Sequence, residues 1–256
     1  PNHFDTLNNL GALLTEQRQP EAAIDVLVKA INLNPRRAIA HCNIGFALFA
    51  MEQFEKAKMG FDEALKLDHN SSKAAQGLAN YYSEKKQYNN AFEIINGALK
   101  SDQDNAELHC VLGNIYRAAE DTANALLSYN RSIELSSTLV TAFVAKGELL
   151  TELGELDEAD ALIKHALILD ENNTAARLAI LNLKKVSATD PNLQWLINES
   201  RLLPEQSPTK ALPIHFTLGK CYDDIKQYDD AFKHYQAGCA IKRSRIHYDA
   251  AAHTQN

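Results

Sequence analysis

A spacing of 34 residues recurs through the first two thirds of this chain. A small residue marks each copy of the pattern, at Gly11, Gly45, Ala79, Gly113 and Gly147. An alanine follows each of them 12 residues later, at Ala23, Ala57, Ala91, Ala125 and Ala159. Three further columns of bulky and small residues keep the same step. Such periodicity indicates a repeat architecture, in which each unit buries its apolar face against its neighbours.

The spacing inside each copy is typical of two α-helices. Apolar residues recur three, four and seven positions apart, which places them on one face of a helix with 3.6 residues per turn. The small column allows the second helix to approach closely, because a larger side chain would hold the two axes apart. No proline occurs between Arg36 and Asp190, as uninterrupted helices require. We therefore predict an all-α chain.

The first copy resembles the tetratricopeptide repeat (TPR), a motif of 34 residues that forms two antiparallel helices. The residues that carry the resemblance are Leu7, Leu10, Gly11, Leu14, Ala23, Leu27, Ala30 and Pro35. Similar residues recur over nearly the whole chain. The resemblance implies an α-α superhelix, a right-handed solenoid of about seven units. A non-repetitive helical bundle is the alternative.

We expect one solenoid over residues 1–256. Its predicted units are 4–37, 38–71, 72–105, 106–139, 140–173, 174–211 and 212–245. Unit 174–211 is degenerate, since Leu181 replaces the small residue and the pattern returns only at Gly219. We predict one helix in it at about 175–187 and another after Asp190-Pro191. Residues 246–256 are expected to begin a further helix, and the missing initiator Met indicates a fragment.

Composition narrows the classes of partner. With 26 basic and 33 acidic residues, the chain has a formal net charge of −7. An acidic surface repels phosphate, so we expect no nucleic-acid partner. No apolar run reaches the roughly 18 residues that a membrane span needs, so we expect no membrane partner. Four cysteines without a C-x-x-C pair indicate reduced thiols and a cytoplasmic location.

The TPR resemblance also implies a binding face. In that family the first helix of each unit lines the concave face and offers ligands positions 2, 5, 6, 9, 12 and 13. The peptide-binding residues implied in this chain are Asn9, Asn43, Phe46, Phe49, Lys73, Gln76, Asn80, Asn114, Arg117 and Glu148. The alternative is that these positions are solvated polar residues without a ligand.

The amides on this face suggest a way to hold a peptide. An amide side chain can both donate to and accept from a peptide backbone without reading its sequence. Our hypothesis is that an extended peptide lies along four of the predicted residues, Asn9, Asn43, Asn80 and Asn114. The carboxylate clamp of chaperone-binding TPR proteins is not expected, because no three consecutive units carry its lysine, asparagine and arginine pattern.

Catalytic motifs are missing from the sequence. It contains no G-x-x-x-x-G-K-[ST] phosphate loop, no H-E-x-x-H and no G-x-S-x-G. His41, His109 and His215 share position 4 of their units, where a packing role is more plausible than metal ligation. We therefore expect no enzymatic activity, no cofactor and no metal ion in this chain.

Three functional hypotheses follow. The first is a scaffold that binds a protein or peptide partner on the concave face. The second rests on the segment from Leu218 through Ala231 to His253, which resembles the closing repeat of bacterial TPR–sulfotransferase fusions. That resemblance implies the substrate-recruiting N-terminal arm of a larger enzyme, with the catalytic domain outside these residues. The third is self-association, because end helices of a solenoid leave apolar faces uncapped.

Overall fold

A computed structural model describes residues 3–17, 19–202 and 208–244. Within these ranges the chain contains 14 α-helices and no strand, which confirms the predicted all-α class. The helices are α1 (Phe4–Glu16), α2 (Pro20–Leu33), α3 (Ala38–Ala50), α4 (Phe54–Leu67), α5 (Ser72–Glu84), α6 (Tyr88–Ser101), α7 (Ala106–Ala118), α8 (Thr122–Leu135), α9 (Val140–Leu153), α10 (Leu156–Leu169), α11 (Thr174–Leu183), α12 (Pro191–Leu202), α13 (Pro208–Asp224) and α14 (Tyr228–Ser244). The further helix predicted over 246–256 lies outside the described residues.

Odd-numbered and even-numbered helices alternate with the period of the sequence. We call the odd-numbered helices A helices and the even-numbered helices B helices. The first six A helices begin 34 residues apart, at Phe4, Ala38, Ser72, Ala106, Val140 and Thr174. Several are preceded by a capping residue whose side chain accepts a hydrogen bond from a backbone N–H of the first turn, as Ser71, Asn105 and Asn173 do. These caps satisfy backbone N–H groups that have no partner inside the helix.

Five turns from an A helix to the following B helix repeat one backbone conformation. A residue with positive φ stands at the same position of the unit in Glu52 (59°), Lys86 (56°), Glu120 (63°) and Gly154 (84°). Lys226 (64°) takes the same conformation between α13 and α14. These five turns therefore share a backbone conformation, although the residue types that adopt it differ.

The residues form two compact units, Pro1–Leu153 and Gly154–Asn256. These two are called the first unit and the second unit, whereas numbered positions are counted within the 34-residue repeats. In the first unit, the A helices α1, α3, α5 and α7 each pack against their own B helix, and each B helix packs against the next A helix. The small column lies inside these hairpins: a Cβ added to Gly45 would stand 2.6 Å from Cε1 of Phe61, and one added to Gly113 would stand 2.5 Å from Cε1 of Tyr129. Both distances are too short for any side chain, which explains the glycines. The single solenoid over 1–256 stays a prediction.

The second unit contains the degenerate repeat. Helix α11 ends at Leu183, four residues before the predicted end at 187, because the backbone of Lys184 is extended (φ −140°, ψ 168°). Helix α13 begins at Pro208, one turn before the predicted unit boundary at 212. The buried apolar residues of this unit include Leu181, Leu193, Leu196, Ile214 and Leu218. Across the described ranges, no helix is both long enough and apolar enough to cross a membrane.

Candidate functional site

Three A helices of the first unit, α1, α3 and α5, border an open groove. Its volume is about 250 Å³, and it is lined by Ala12, Thr15, Glu16, Asn43, Phe46, Lys73 and Gln76. Four of the ten predicted peptide-binding residues therefore meet here: Asn43, Phe46, Lys73 and Gln76. We call this feature the groove.

A chain of side-chain hydrogen bonds joins the three helices beneath the groove. Asn43 is only 4% exposed. Its Nδ2 donates to Oδ1 of Asn8 at 2.9 Å, and its Oδ1 accepts from Nζ of Lys73 at 3.0 Å. Asn9 is exposed beside them and accepts a longer bond of 3.4 Å from Asn8. Asn43 thus links α1 to α5, and its amide is engaged within the protein.

Phe46 supplies the apolar surface of the groove. Its half-buried ring packs edge to face on Phe61, with centroids 4.9 Å apart. The Nζ of Lys73 lies 5.7 Å from the Phe46 ring centroid, within the range of a cation–π contact. Phe49 instead packs against Phe54 at 5.0 Å. The groove therefore combines an aromatic surface with an ammonium group.

Further along the first unit, Arg117 and Glu148 bind each other. Nη1 of Arg117 lies 2.9 Å from Oε2 of Glu148, and Nη2 lies 2.5 Å from Oε1 of Glu152. Burial lowers the pKa of Arg117, but hydrogen bonds to Glu152 and Glu148 outweigh it and raise the pKa overall. This ion-pair cluster links α7 to α9, so the guanidinium is neutralised by carboxylates of the protein.

The remaining predicted amides lie outside the groove. Asn114 is exposed on α7, and its Oδ1 accepts a hydrogen bond of 2.8 Å from the Tyr129 hydroxyl. Asn80 is half-buried on α5. Of the four asparagines in the peptide hypothesis, only Asn43 lines the groove.

Three groove residues and one member of the ion-pair cluster are missing from the ten predicted residues. Ala12 occupies position 9 of its unit, Thr15 occupies position 12, and Glu16 and Glu152 occupy position 13 of theirs. These positions belong to the stripe that identified the other candidates. The signal was therefore present, but these small, hydroxyl and acidic residues did not stand out.

The histidines at position 4 anchor the starts of their helices. Nε2 of His41 lies 2.8 Å from the carbonyl oxygen of Pro35, and Nε2 of His109 lies 2.9 Å from that of Gln103. Each imidazole thus contacts the loop six residues before it. In the second unit, Nδ1 of His215 lies 3.0 Å from Nδ1 of His234. Among the described residues, no three His, Cys, Asp or Glu side chains are grouped so as to hold a metal ion.

Comparison with curated proteins finds relatives that are named as members of protein complexes. The chain is 23% identical over 219 residues to anaphase-promoting complex subunit 3 of Schizosaccharomyces pombe, covering 86% of this chain and 27% of that protein. It is 26% identical over 127 residues to the BBSome complex member BBS4 homolog of Drosophila melanogaster, covering 50% of this chain and 26% of that protein. The chain thus spans about a quarter of the length of these relatives.

A solved structure shares the fold. The crystal structure of a thermophilic TPR protein from Thermus thermophilus matches 71% of this chain and 98% of its own, with a TM-score of 0.66 and 19% identity. A tetratricopeptide repeat model matches residues 38–70, 72–105, 106–138 and 140–173, and a second TPR model matches residues 11–52. Together the matches cover more than half of the sequence, so the chain belongs to the tetratricopeptide repeat family.

Proposed function

We propose that this chain is a protein-interaction scaffold whose groove binds an extended peptide segment of a protein partner. The observation that carries the proposal is the mixture of groups on the groove walls: the Phe46 ring, the Lys73 ammonium, the Glu16 carboxylate and the Gln76 amide. An extended peptide needs a surface for apolar side chains and groups that bond its backbone, and this groove offers both. The similarity to subunits of two large complexes supports the same role.

The hydrogen bonds beneath the groove favour binding. Asn43 holds Asn8 and Lys73 in place through bonds of 2.9 and 3.0 Å. A groove that is already ordered loses less side-chain entropy when a ligand binds, so more of the contact energy appears as affinity. The buried Asn43 therefore contributes by positioning Lys73, and Gln76 remains to bond the peptide backbone.

The proposed peptide continues from the groove toward α7. Asn80 on α5 and Asn114 on α7 occupy the same position of successive units. Asn114 keeps its amide N–H groups after accepting the Tyr129 hydroxyl bond. Arg117 and Glu148 lie beside this surface. Because they are paired with each other, they offer the peptide no unpaired charge.

A peptide-display experiment tests the proposal without a known partner. A random peptide library is selected on the immobilised chain, and the affinity of an enriched peptide is measured by fluorescence anisotropy. We expect Phe46→Ala and Gln76→Ala each to weaken binding by about tenfold, since loss of a central contact costs about 1.4 kcal/mol or more. The control is Leu127→Ala, which removes an equally apolar but exposed side chain from the B helix α8. If Phe46→Ala and Gln76→Ala bound the peptide as tightly as Leu127→Ala and the wild type do, groove binding would be refuted.

The double substitution Asn80→Ala, Asn114→Ala measures the extent of the site. A several-fold loss of affinity is expected if the peptide reaches α7. Unchanged affinity would confine the peptide to the groove.

The proposal assigns binding to these residues and no catalysis. Neither curated relative described above is named as a sulfotransferase. The role as a recruiting arm of such an enzyme therefore remains a prediction from the sequence. The cytoplasmic location and the exclusion of nucleic-acid and membrane partners remain predictions as well.

A further inference from the structure

Position 9 of the repeat carries a smaller side chain in α1 than in the A helices that follow it. Ala12 occupies this position in α1, and the next four A helices carry longer side chains there, namely Phe46, Asn80, Asn114 and Glu148. Ala12 is half-buried and lines the groove together with Phe46. Because an alanine side chain ends at Cβ, space is left in the groove where the other repeats place a longer group.

The groove has the size of a site for one side chain. Its volume of about 250 Å³ lies below the roughly 300–1,000 Å³ of pockets that enclose a whole drug-sized ligand. Protein interfaces draw much of their affinity from a few large side chains, often aromatic, that fill small pockets near the centre of the contact. An extended peptide that crosses α1, α3 and α5 can therefore insert one large side chain here, while its backbone stays above the groove.

Two groups on the groove wall favour an aromatic side chain over an aliphatic one of the same size. The Phe46 ring is held edge to face by Phe61, with centroids 4.9 Å apart, and its remaining surface lines the groove. A second ring packed on it gains more than the burial of apolar area alone, because aromatic pairs also attract each other electrostatically. The Nζ of Lys73, fixed 3.0 Å from Oδ1 of Asn43, lies 5.7 Å from the Phe46 ring centroid. An ammonium group held there also attracts the π face of a ligand ring.

We propose that the groove selects peptides that insert one aromatic side chain beside Ala12 and Phe46, and that Ala12 is the residue that sets the size of this side chain. We call the inserted peptide residue the anchor. The inference rests on the proposed function, since it names the class of peptide that the same groove takes. Ala12 contributes space, Phe46 contributes a ring surface and Lys73 contributes a positive charge. A change of size at position 12 should therefore change which anchors fit, without removing the other contacts of the peptide.

Variants of a peptide selected from the random library test the anchor. The anchor is identified as the peptide residue whose replacement by alanine weakens binding to the wild-type chain but has little effect on binding to Phe46→Ala, as in a double-mutant cycle. We expect this residue to be aromatic, and its replacement by alanine to weaken binding by about tenfold or more. Cyclohexylalanine has nearly the size of phenylalanine but no π system, so it should bind several-fold more weakly. Fluorescence anisotropy measures each affinity.

Two substitutions of Ala12 should move the size preference in opposite directions. Ala12→Leu fills part of the groove, so it should weaken the peptide with the aromatic anchor by about tenfold. The peptide with alanine as the anchor should bind this variant as it binds the wild type. Ala12→Gly enlarges the groove and should raise the affinity for a tryptophan anchor relative to phenylalanine. The matched control is Ala123→Leu, which adds the same side chain at an exposed alanine of α8 and should leave all affinities unchanged.

The outcomes separate this inference from the proposed function. If Phe46→Ala weakens the selected peptides but alanine, cyclohexylalanine and phenylalanine bind equally well as the anchor, the peptide lies in the groove and the aromatic anchor is wrong. The size-selecting role of Ala12 is wrong if Ala12→Leu weakens peptides with large and small anchors equally while far-UV circular dichroism shows a folded chain. Should Ala12→Leu fail to fold, the shift between tryptophan and phenylalanine in Ala12→Gly decides the same point. Peptides that bind Phe46→Ala as tightly as the wild type would refute groove binding itself, and the anchor with it.

Discussion

The repeat at 106–139 and the degenerate repeat at 174–211 hold their first helices by different means. Helix α7 runs for 13 residues, and Gly113 lets the Tyr129 ring of α8 lie directly against its backbone. Helix α11 runs for 10 residues and carries Leu181 at the equivalent position. It ends early, and carbonyl groups at its end are bonded by a side chain of α13.

That side chain is Lys220. Its Nζ donates to the carbonyl oxygen of Leu181 at 2.8 Å and to that of Lys184. It also lies 2.7 Å from Oδ2 of Asp224, and the same oxygen accepts the backbone N–H of Val186 at 3.0 Å. In the degenerate repeat, polar contacts from Lys220 and Asp224 take the place of the close contact between a glycine and an aromatic ring. They are needed because buried helix ends must still have hydrogen-bond partners.

A side chain added at Gly113, where the Tyr129 ring lies against the helix backbone, should have the largest effect on stability. In Gly113→Ala the new Cβ would stand 2.5 Å from Cε1 of the buried Tyr129 ring. Overpacking of this kind costs about 1–3 kcal/mol, which exceeds the gain of up to about 1 kcal/mol from the helix propensity of alanine. We expect the free energy of unfolding in urea to fall by about 2 kcal/mol.

Gly97→Ala is the matched control, since a Cβ on this helical glycine meets no atom within 4 Å. It should stabilise the chain by up to about 1 kcal/mol. If the two substitutions shift the urea midpoint in the same direction, the contact with the Tyr129 ring is not what requires a glycine at position 113.

The polar replacement in the second unit should give a smaller effect. Lys220→Met keeps most of the aliphatic stem but leaves two carbonyl groups without their donor and Asp224 without its cation. Such losses cost about 1–2 kcal/mol for a partly exposed site. Fluorescence of Trp195, the single tryptophan of the chain, reports on this unit because it lies in α12. Lys233→Met removes an exposed pair with Asp230 and should change the midpoint little. Equal effects of both substitutions would contradict the capping role of Lys220.

The repeat explains why most of the fold could be predicted. Gly45 and Gly113 are required by contacts inside one hairpin, so a fixed spacing reveals them. The ends of α11 and α13 could not be predicted in the same way. They depend on Lys220 reaching Leu181, and nothing in the local sequence of α11 records a partner so far along the chain.

The candidate site was predictable only as a stripe of positions. Register placed Asn43, Phe46, Lys73 and Gln76 on one face, and they line the groove. Register does not show whether a polar side chain is free or engaged. Asn43 is buried between Asn8 and Lys73, and such pairing depends on the geometry of three neighbouring helices.

Lowering the pH should destabilise the second unit through its histidine pair, His215 and His234. Burial lowers the pKa of His215, and burial together with His215 lowers that of His234, although Asp230 acts in the opposite direction. The unfolded chain therefore binds more protons as the pH falls below about 6.5, the ordinary histidine pKa. The contribution of this pair to stability should be constant above that pH and decrease below it until both folded imidazoles are protonated.

Urea unfolding followed by Trp195 fluorescence between about pH 7.5 and pH 5 measures this dependence. His234→Gln removes one imidazole of the pair and should flatten the decrease. Its counterpart His41→Gln changes a histidine of the first unit and should leave the decrease seen by Trp195 in place. A wild-type midpoint that does not move over this range would show that the pair does not influence stability.

The turns offer the smallest test, because they compare one conformation across residue types. Gly154 has φ of 84°, where an added Cβ meets no neighbour within 4 Å, so only backbone strain opposes a side chain. Gly154→Ala should lower the free energy of unfolding by about 1 kcal/mol. Glu120→Gly at φ 63° is the reciprocal change. It relieves backbone strain, but it also raises the conformational entropy of the unfolded chain. The free energy of unfolding should therefore rise by no more than about 0.5 kcal/mol. Opposite signs in urea unfolding would show that the repeated geometry, and not the residue type, is what each turn conserves.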